Sequence, residues 1–520
     1  MTRPTRNDAA IDQLWDRLRE LPRPTLADLF ENGAARVYKF ARRLEFGIEG
    51  ADPVGIRLDW SKTHLDDDVL EAFEEMAQAA GFADMREALF TGGIVNPTED
   101  RAATHTALRG SGAPASVEEA EALLARMGML VGAIHEGALG EVNHLIHIGI
   151  GGSALGPDLA VDALTRDLKL VDVHVVSNID GLALEQAFAA CDPATTLIAV
   201  ASKTFTTTET MTNAASALKW LTDNKVSDPS GRVIALTANP ERAVEWGVDE
   251  TRILPFPESV GGRYSLWSSI GFPVALAVGM EDFTAMLAGA RAMDTHFRES
   301  EGRANGPLLA AFADLYYTRV RGCQTRAVFA YDERLALLPD YLQQLEMESN
   351  GKSVTADGDP VDAPTAAITW GGVGTDAQHA VFQLLHQGTH TVPVDFIASI
   401  APGDELDPAH HKALLLNCLA QGAALMAGGN MSADGKDPAR GFVGNRPSAT
   451  ILVDDLDAAT LGALIAFHEH RVFAGAVLMA INPFDQFGVE LGKKMAKDMD
   501  AGEGDFDAST RALMEAAGLG

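Results

Sequence analysis

Cysteine is scarce in this chain. Three occur in 520 residues, Cys191, Cys323 and Cys418, far apart and without the short spacings of a metal knuckle. Neither a disulfide framework nor a zinc site is expected, and a reducing compartment is the simpler inference. Positive charge is scarce too: Lys and Arg number 41 against 73 Asp and Glu, a formal net charge of −32. Nucleic acid and anionic membranes both demand a basic face, so neither is expected as a partner. Long apolar runs are also missing. The most apolar stretches, near 272–280 and 472–481, fall short of a bilayer span, and residues 1–8 lack the apolar core of a leader. The expected location is the cytoplasm.

What is present places the chain among ordinary globular proteins, with 47% hydrophobic and 22% charged residues. Its length exceeds one hydrophobic core, so at least two domains are expected. In so acidic a chain an anionic ligand requires a locally positive site. The few Lys and Arg beside glycine-rich turns therefore carry information.

Residues 9–108 read as mostly helical: Ile11, Leu14, Trp15 and Leu18 recur at helical spacing, as do Leu70, Phe73, Met76 and Ala77. Ser116 and Glu119 have capping-box spacing and predict a helix start. Strand-like runs follow at 142–148, 170–176, 195–201 and 232–236, with helical segments between them. After a helical stretch the alternation resumes at 325–331, 365–370 and 390–396, with helices over 338–348 and 376–386. Such alternation predicts parallel sheets covered on both faces, with a second α/β domain over about 282–505. Ligands of such sheets sit outside the carboxyl ends of strands.

Several loops at those ends carry chemistry. Gly149, Gly151, Gly152 and Ser153 lie between a strand and a helix, where unpaired N–H groups and a positive helix end make an anion site. Ser202, Lys203, Thr204 and Thr207 supply a cation and hydroxyls at the next such junction, the donors a phosphate needs. Arg263 follows two glycines and can hold an anion or stabilise an oxyanion. Glu346 and Glu348 both precede Gly351, and composition does not choose between them as a general base. Gly371, Gly372 and Gly374 read as a turn opening a helix with His379 in its first turn, whereas His386 reads as structural. Lys493 alone reads as one of several solvated lysines with Lys494 and Lys497.

Taken together, these segments resemble the glucose-6-phosphate isomerase family over nearly the whole chain. Gly-Gly-Arg-Tyr-Ser-Leu-Trp-Ser-Ser-Ile-Gly (261–271) and Gly-Val-Glu-Leu-Gly-Lys (488–493) are similar to that family's two signatures. Ser-Lys-Thr-Phe-Thr-Thr, Met-Glu-Ser-Asn-Gly-Lys and Gly-Thr-Asp-Ala-Gln-His are equally distinctive, with Asp376 and Ala377 where many members have Asn-Gly. The resemblance implies interconversion of glucose 6-phosphate and fructose 6-phosphate through a cis-enediol or enediolate, in glycolysis and gluconeogenesis, without metal or organic cofactor. It implies phosphate binding by Gly152, Ser153, Ser202, Lys203, Thr204 and Thr207. Glu348 rather than Glu346 becomes the base, Arg263 the cation beside the developing oxyanion, and His379 the ring-opening residue with Lys493 assisting. Gln344 and Gln486 match positions that hold sugar hydroxyls and phosphate. The implied fold is two sugar-isomerase (SIS-type) doubly wound parallel-sheet α/β domains with additional N- and C-terminal helices. Residues 110–281 would form the smaller and 282–505 the larger, joined by the N-terminal segment 1–109, with a tail from 506. A homodimer with a shared active site is implied, the ring-opening His coming from the partner.

Two rivals have sequence support. The Gly149–Ala154 pattern (149–154) fits a dinucleotide fingerprint, with Asp172 or Asp180 in the ribose role, as in an NAD-dependent dehydrogenase. Asn178 rather than an acid stands near the end of the second strand, however, and Glu348 and Lys493 are left without roles. A sugar-phosphate-binding regulator of the same fold needs the phosphate loops but not Glu348, Arg263, His379 and Lys493 together.

Overall fold

The computed structural model describes residues 6–31, 33–48, 52–166, 169–432 and 435–519. Most of the stretch read for a leader, residues 1–5, lies outside them. In chain order the strands begin with β1 (Ala41–Phe46), β2 (Val54–Asp59), β3 (His144–Ile148), β4 (Asp172–Val176) and β5 (Thr196–Ala201). They continue with β6 (Val233–Thr237), β7 (Ile253–Pro255), β8 (Thr325–Tyr331), β9 (Ile368–Val373) and β10 (Val394–Ser399). A short ribbon, β11 (Gly429–Asn430) and β12 (Gly441–Phe442), precedes β13 (Ser448–Val453).

One sheet has the order β4-β3-β5-β6-β7 and is parallel throughout. The other runs β1-β2-β13-β10-β8-β9, with its last four strands parallel and β1 and β2 antiparallel at the edge. Both are clothed in helices, as near-continuous apolar strands such as β5 and β10 require. The helical reading of 9–108 is corrected at β1 and β2, which lie between the helices Gly33–Phe40 and Asp67–Ala79. Val54, Ile56 and Leu58 alternate at the period of a strand and are buried beside β13. The glycine turn at 371–374 is corrected as well. Gly371 and Gly372 belong to β9, where a Cβ on Gly371 would overlap the Val328 carbonyl of β8. The helix read from Ser116 starts earlier, as Pro114–His135, with Pro114 fixing the first turn in place of a capping box.

The helix Ala458–Met479 is the axle of the core. Its 22 residues suffice to cross a membrane by length and composition, yet all of them are buried in protein. It packs backbone to backbone on the helix Met280–Glu299: side chains on Gly289 or Gly462 would overlap the carbonyls of Ala459 and Met286. Midway it carries His468, Glu469, His470 and Arg471 into the interior. There Arg109 grips Asp294 with two hydrogen bonds of 2.8 and 2.7 Å and donates to Glu469 at 2.5 Å. Trp267 Nε1 donates to the other Glu469 oxygen at 2.8 Å, and the Arg109 guanidinium stacks 4.7 Å from the Trp267 ring. Removing one partner of a buried ion pair strands the other, at a cost of about 3–5 kcal/mol. Arg109→Met strands both Asp294 and Glu469, so urea unfolding is expected to shift to lower concentration by that much; a shift under about 1 kcal/mol would contradict the argument.

The interior also holds neutral imidazoles. Burial pushes His64, His147 and His296 each down to about 4. The unfolded chain takes up these protons near pH 6.5, whereas the folded chain does so only near pH 4. Stability is thus full above pH 6.5 and lost as pH falls towards 4, by about 4 kcal/mol per pH unit for three such groups. The thermal midpoint is expected to fall steeply from pH 6.5 to 5. A flat profile there would show these rings to be charged in the fold.

Candidate active site

In the first sheet the chain leaves β3 for β4 on one side and then crosses to β5 on the other. A crevice opens where such connections diverge, at the carboxyl ends of β3 and β5. The loops 149–153 and 202–207 lie there together, as the sequence led us to expect. After β3 the chain makes a tight turn, Gly151–Ser153, and enters the helix Leu155–Leu164. His147 holds the turn by donating from Nε2 to the Ser153 carbonyl at 2.7 Å. Gly152 has no room for a side chain, since a Cβ would overlap the Gly262 carbonyl; its own carbonyl accepts from Ser265 Oγ at 3.3 Å. Gly151 abuts the Gln344 amide. The glycine loop is thereby locked to the segments that carry Arg263 and Gln344.

After β5, Ser202 is buried and its hydroxyl lies 3.1 Å from that of Thr207, which stands at the N-cap of the helix Thr208–Asp223. Thr204 is exposed and pairs with Thr206 at 2.8 Å. Lys203, read from the sequence as the cation of this loop, makes two contacts of its own. Its ammonium donates to the carbonyls of Glu258 at 2.6 Å and Val260 at 3.1 Å, and burial lowers its pKa. It therefore also fastens the segment that leads into Arg263.

Arg263, 4% exposed, sits in the turn Gly262–Trp267. Its Nε donates to Ser349 Oγ at 2.9 Å, and Nη2 donates to the carbonyls of Pro483 at 2.7 Å and Asp485 at 3.1 Å. That leaves Nη1 facing Gln486 Oε1 at 3.0 Å and Glu348 Oε2 at 3.0 Å. A guanidinium anchored on three sides, with its remaining nitrogen turned towards Glu348 and Gln486, is a pre-aimed charge for a developing oxyanion. Glu348, Gln344, Lys352, Asp485 and Gln486 line one cavity of about 750 Å³, a size suited to a small ligand.

The helix Leu338–Asn350 separates the two glutamates that composition alone did not. Glu348 faces the cavity with its side chain 23% exposed. Glu346, two residues away and so on another face, is buried, accepts from Asn350 Nδ2 at 3.3 Å, and has its pKa raised by burial.

His379 and Lys493 are not brought to this cavity. His379 is exposed in the first turn of Asp376–Gln387. Lys493 lies on Glu490–Asp500 with its side chain 54% exposed, 3.7 Å from Glu490. No residue of that helix is buried, and Leu491 and Met495 are exposed. His386 donates from Nε2 to Gln421 Oε1 at 3.0 Å, in keeping with its structural reading.

Sequence reasoning missed Lys352 and Asp485. Lys352 Nζ donates to the Glu348 carbonyl at 3.0 Å and to Asp485 at 2.6 and 2.7 Å. Thr98 and Asn482 donate to the other Asp485 oxygen at 2.8 and 3.0 Å. The signal was adjacency, since Lys352 ends the Glu348 motif and Asp485 precedes Gln486. The acids offered to a dinucleotide are occupied elsewhere. Asp172 starts β4, at the opposite end from the glycine loop, and pairs with Lys169 at 2.7 Å; Asp180 caps the helix Gly181–Ala190.

One parallel and one mostly parallel sheet clothed in helices, with a glycine loop, a hydroxyl loop and a carboxylate–guanidinium pair, define a protein of the sugar-isomerase class. The family model for phosphoglucose isomerase matches residues 59–514. A curated glucose-6-phosphate isomerase of Erythrobacter litoralis is 74% identical over 97% of this chain and 98% of its own. One from Novosphingobium aromaticivorans is 67% identical over 98% and 99%. The crystal structure of a glucose-6-phosphate isomerase from Chlamydia trachomatis superposes with a TM-score of 0.87 at 28% identity, covering 98% of this chain and 99% of that one. The chain belongs to the phosphoglucose isomerase family.

Proposed function

We propose that the chain interconverts glucose 6-phosphate and fructose 6-phosphate, the aldose–ketose isomerisation that serves glycolysis and gluconeogenesis. The observation that carries the reading is the Glu348 carboxylate, which lines the cavity and lies 3.0 Å from an anchored Arg263. The reaction moves one proton between C2 and C1, and a single carboxylate between those carbons serves as base and then acid. Glu348 takes the C2 proton of the open-chain aldose, and the electron pair runs onto the C1 oxygen to give the cis-enediolate. Arg263 Nη1 faces that charge. Transfer of the hydroxyl proton from the C2 oxygen to the C1 oxygen and return of the carbon-bound proton to C1 give the ketose.

The phosphate handle belongs to Gly152, Ser153, Ser202, Thr204 and Thr207, with Lys203 supplying positive charge and fastening the neighbouring loop. Gln344 and Gln486 hold hydroxyls and phosphate. Binding the remote phosphate orients the reacting carbons and lowers the entropic part of the barrier. His379 opens the sugar ring from the partner subunit, with Lys493 assisting, in a homodimer whose two sites are shared. The exposure of His379 and of the apolar residues Leu491 and Met495 supports that arrangement. The chain acts in the cytoplasm as a small domain of 110–281 and a large domain of 282–505, the latter completed by the segment 1–109, with a tail from 506. Its net charge of −32 argues against nucleic acid or an anionic membrane as partner.

A coupled assay that converts fructose 6-phosphate and records glucose 6-phosphate tests the reading. Turnover is expected with no added metal or cofactor. Binding without turnover would favour the regulator instead.

A further inference from the structure

At the end of the first sheet away from the glycine loop, three side chains of metal-ligating type converge. His144 opens β3 opposite Asp172, and His174 lies two residues further along β4. Alternate residues of a strand share a face, so the two imidazoles are diagonal neighbours on one side of the sheet. Cys191 ends the helix Gly181–Ala190, which packs on that side through Leu184 and Ala187. A ligand atom from each of the three lies within 4.8 Å of the others.

The local chemistry is incomplete as it stands. His144 Nδ1 and His174 Nε2 are enclosed and have no hydrogen-bond partner. Buried polar atoms are normally paired, and each unpaired one costs free energy. The two rings are near neighbours, with centroids 5.9 Å apart and planes tilted by 37°, yet these two nitrogens are not paired with each other. Cys191 is buried as a free thiol. The Asp172 carboxylate borders the group and is held by Lys169 at 2.7 Å.

We infer that His144, His174 and Cys191 bind one divalent transition-metal ion of the zinc–cobalt type. Two imidazole nitrogens and a thiolate suit a borderline ion and not magnesium or calcium, which prefer all-oxygen sites. Water completes a tetrahedral set at the fourth position. On binding, the Cys191 S–H bond breaks, its proton leaves to solvent and a sulfur–metal bond forms; no electron is transferred. The ion pins the start of β3, the edge strand β4 and the end of the helix Gly181–Ala190 to one another across a stretch from 144 to 191. The length of β3 puts it roughly 15 Å from the glycine loop, so its role is to fasten and not to touch substrate.

The long sequence separation explains why the cysteine spacing pointed to no metal. Chain stripped with chelator, dialysed against cobalt(II) and freed of excess ion tests the inference. The wild-type chain is expected to retain one cobalt per chain, to show a thiolate-to-cobalt band in the near ultraviolet, and to lose that band to zinc. Cys191→Ser is expected to lose the band, and His174→Ala to lose the retained ion, while both keep isomerase turnover as proof of folding. Zinc should raise the thermal midpoint of the wild type but not of either variant. The proposal is overturned by wild-type chain with neither band nor retained ion, or by a band that survives in Cys191→Ser.

Discussion

Glu348→Gln is expected to lower the isomerisation rate by about a thousand-fold, the scale of a general base at its reacting carbon. Glutamine keeps the shape of the side chain and can still accept from Arg263, so the cavity keeps its form. It has no proton-accepting oxygen basic enough for C2. Titration with a sugar phosphate that cannot enolise is expected to give nearly unchanged affinity, because the phosphate site proposed above lies on the loops 149–153 and 202–207. A loss in kcat with binding retained separates chemistry from positioning. Glu346→Gln supplies the contrast: that carboxyl is buried beside Asn350 and away from the cavity, and its replacement should alter stability while leaving kcat near the wild-type value. Full turnover by Glu348→Gln would assign the base elsewhere.

The two glutamates also show what was legible in the sequence. Local signals were: glycines and hydroxyls between a strand and a helix gave the two loops, and their adjacency follows from strand alternation alone. Arg263 stood out because two glycines precede it. Distances between segments were not legible. Nothing near Arg263 in the chain announces that Ser349, Pro483 and Asp485 hold it, and nothing near Lys203 announces the carbonyls of Glu258 and Val260. The strands β1 and β2 were hidden because each is six residues long and set between helical patterns. The identity of β2 rests on pairing with β13, which arrives about four hundred residues later, and that of β1 on pairing with β2. The same limit applies to Arg109, whose partners Asp294 and Glu469 come from two other helices, and to His144, His174 and Cys191. Long-range charge pairs and ligand sets are properties of the packed core, and periodicity carries no record of them.

The strongest test of a shared site is complementation between two inactive chains. His379 is exposed and lies outside the cavity that holds Glu348, so a cavity that needs both must draw the imidazole from another chain. Glu348→Gln and His379→Ala are each expected to be nearly inactive on cyclic sugar phosphate, the first for want of a base and the second for want of ring opening. In a symmetric dimer each site would combine the Glu348 of one chain with the His379 of the other. A heterodimer of the two variants then concentrates both lesions in one site and leaves the other intact. Random reassortment makes half the dimers mixed, each with half its sites whole, so activity is expected to recover to about a quarter of wild type. If both residues instead served the same chain's site, every site in every mixture would carry a lesion and no recovery would occur. Open-chain substrate adds a second reading: it bypasses ring opening, so it should rescue His379→Ala alone and leave Glu348→Gln inactive. Because the mixture is made only from chains that fail separately, recovered turnover can arise only from a site assembled between subunits.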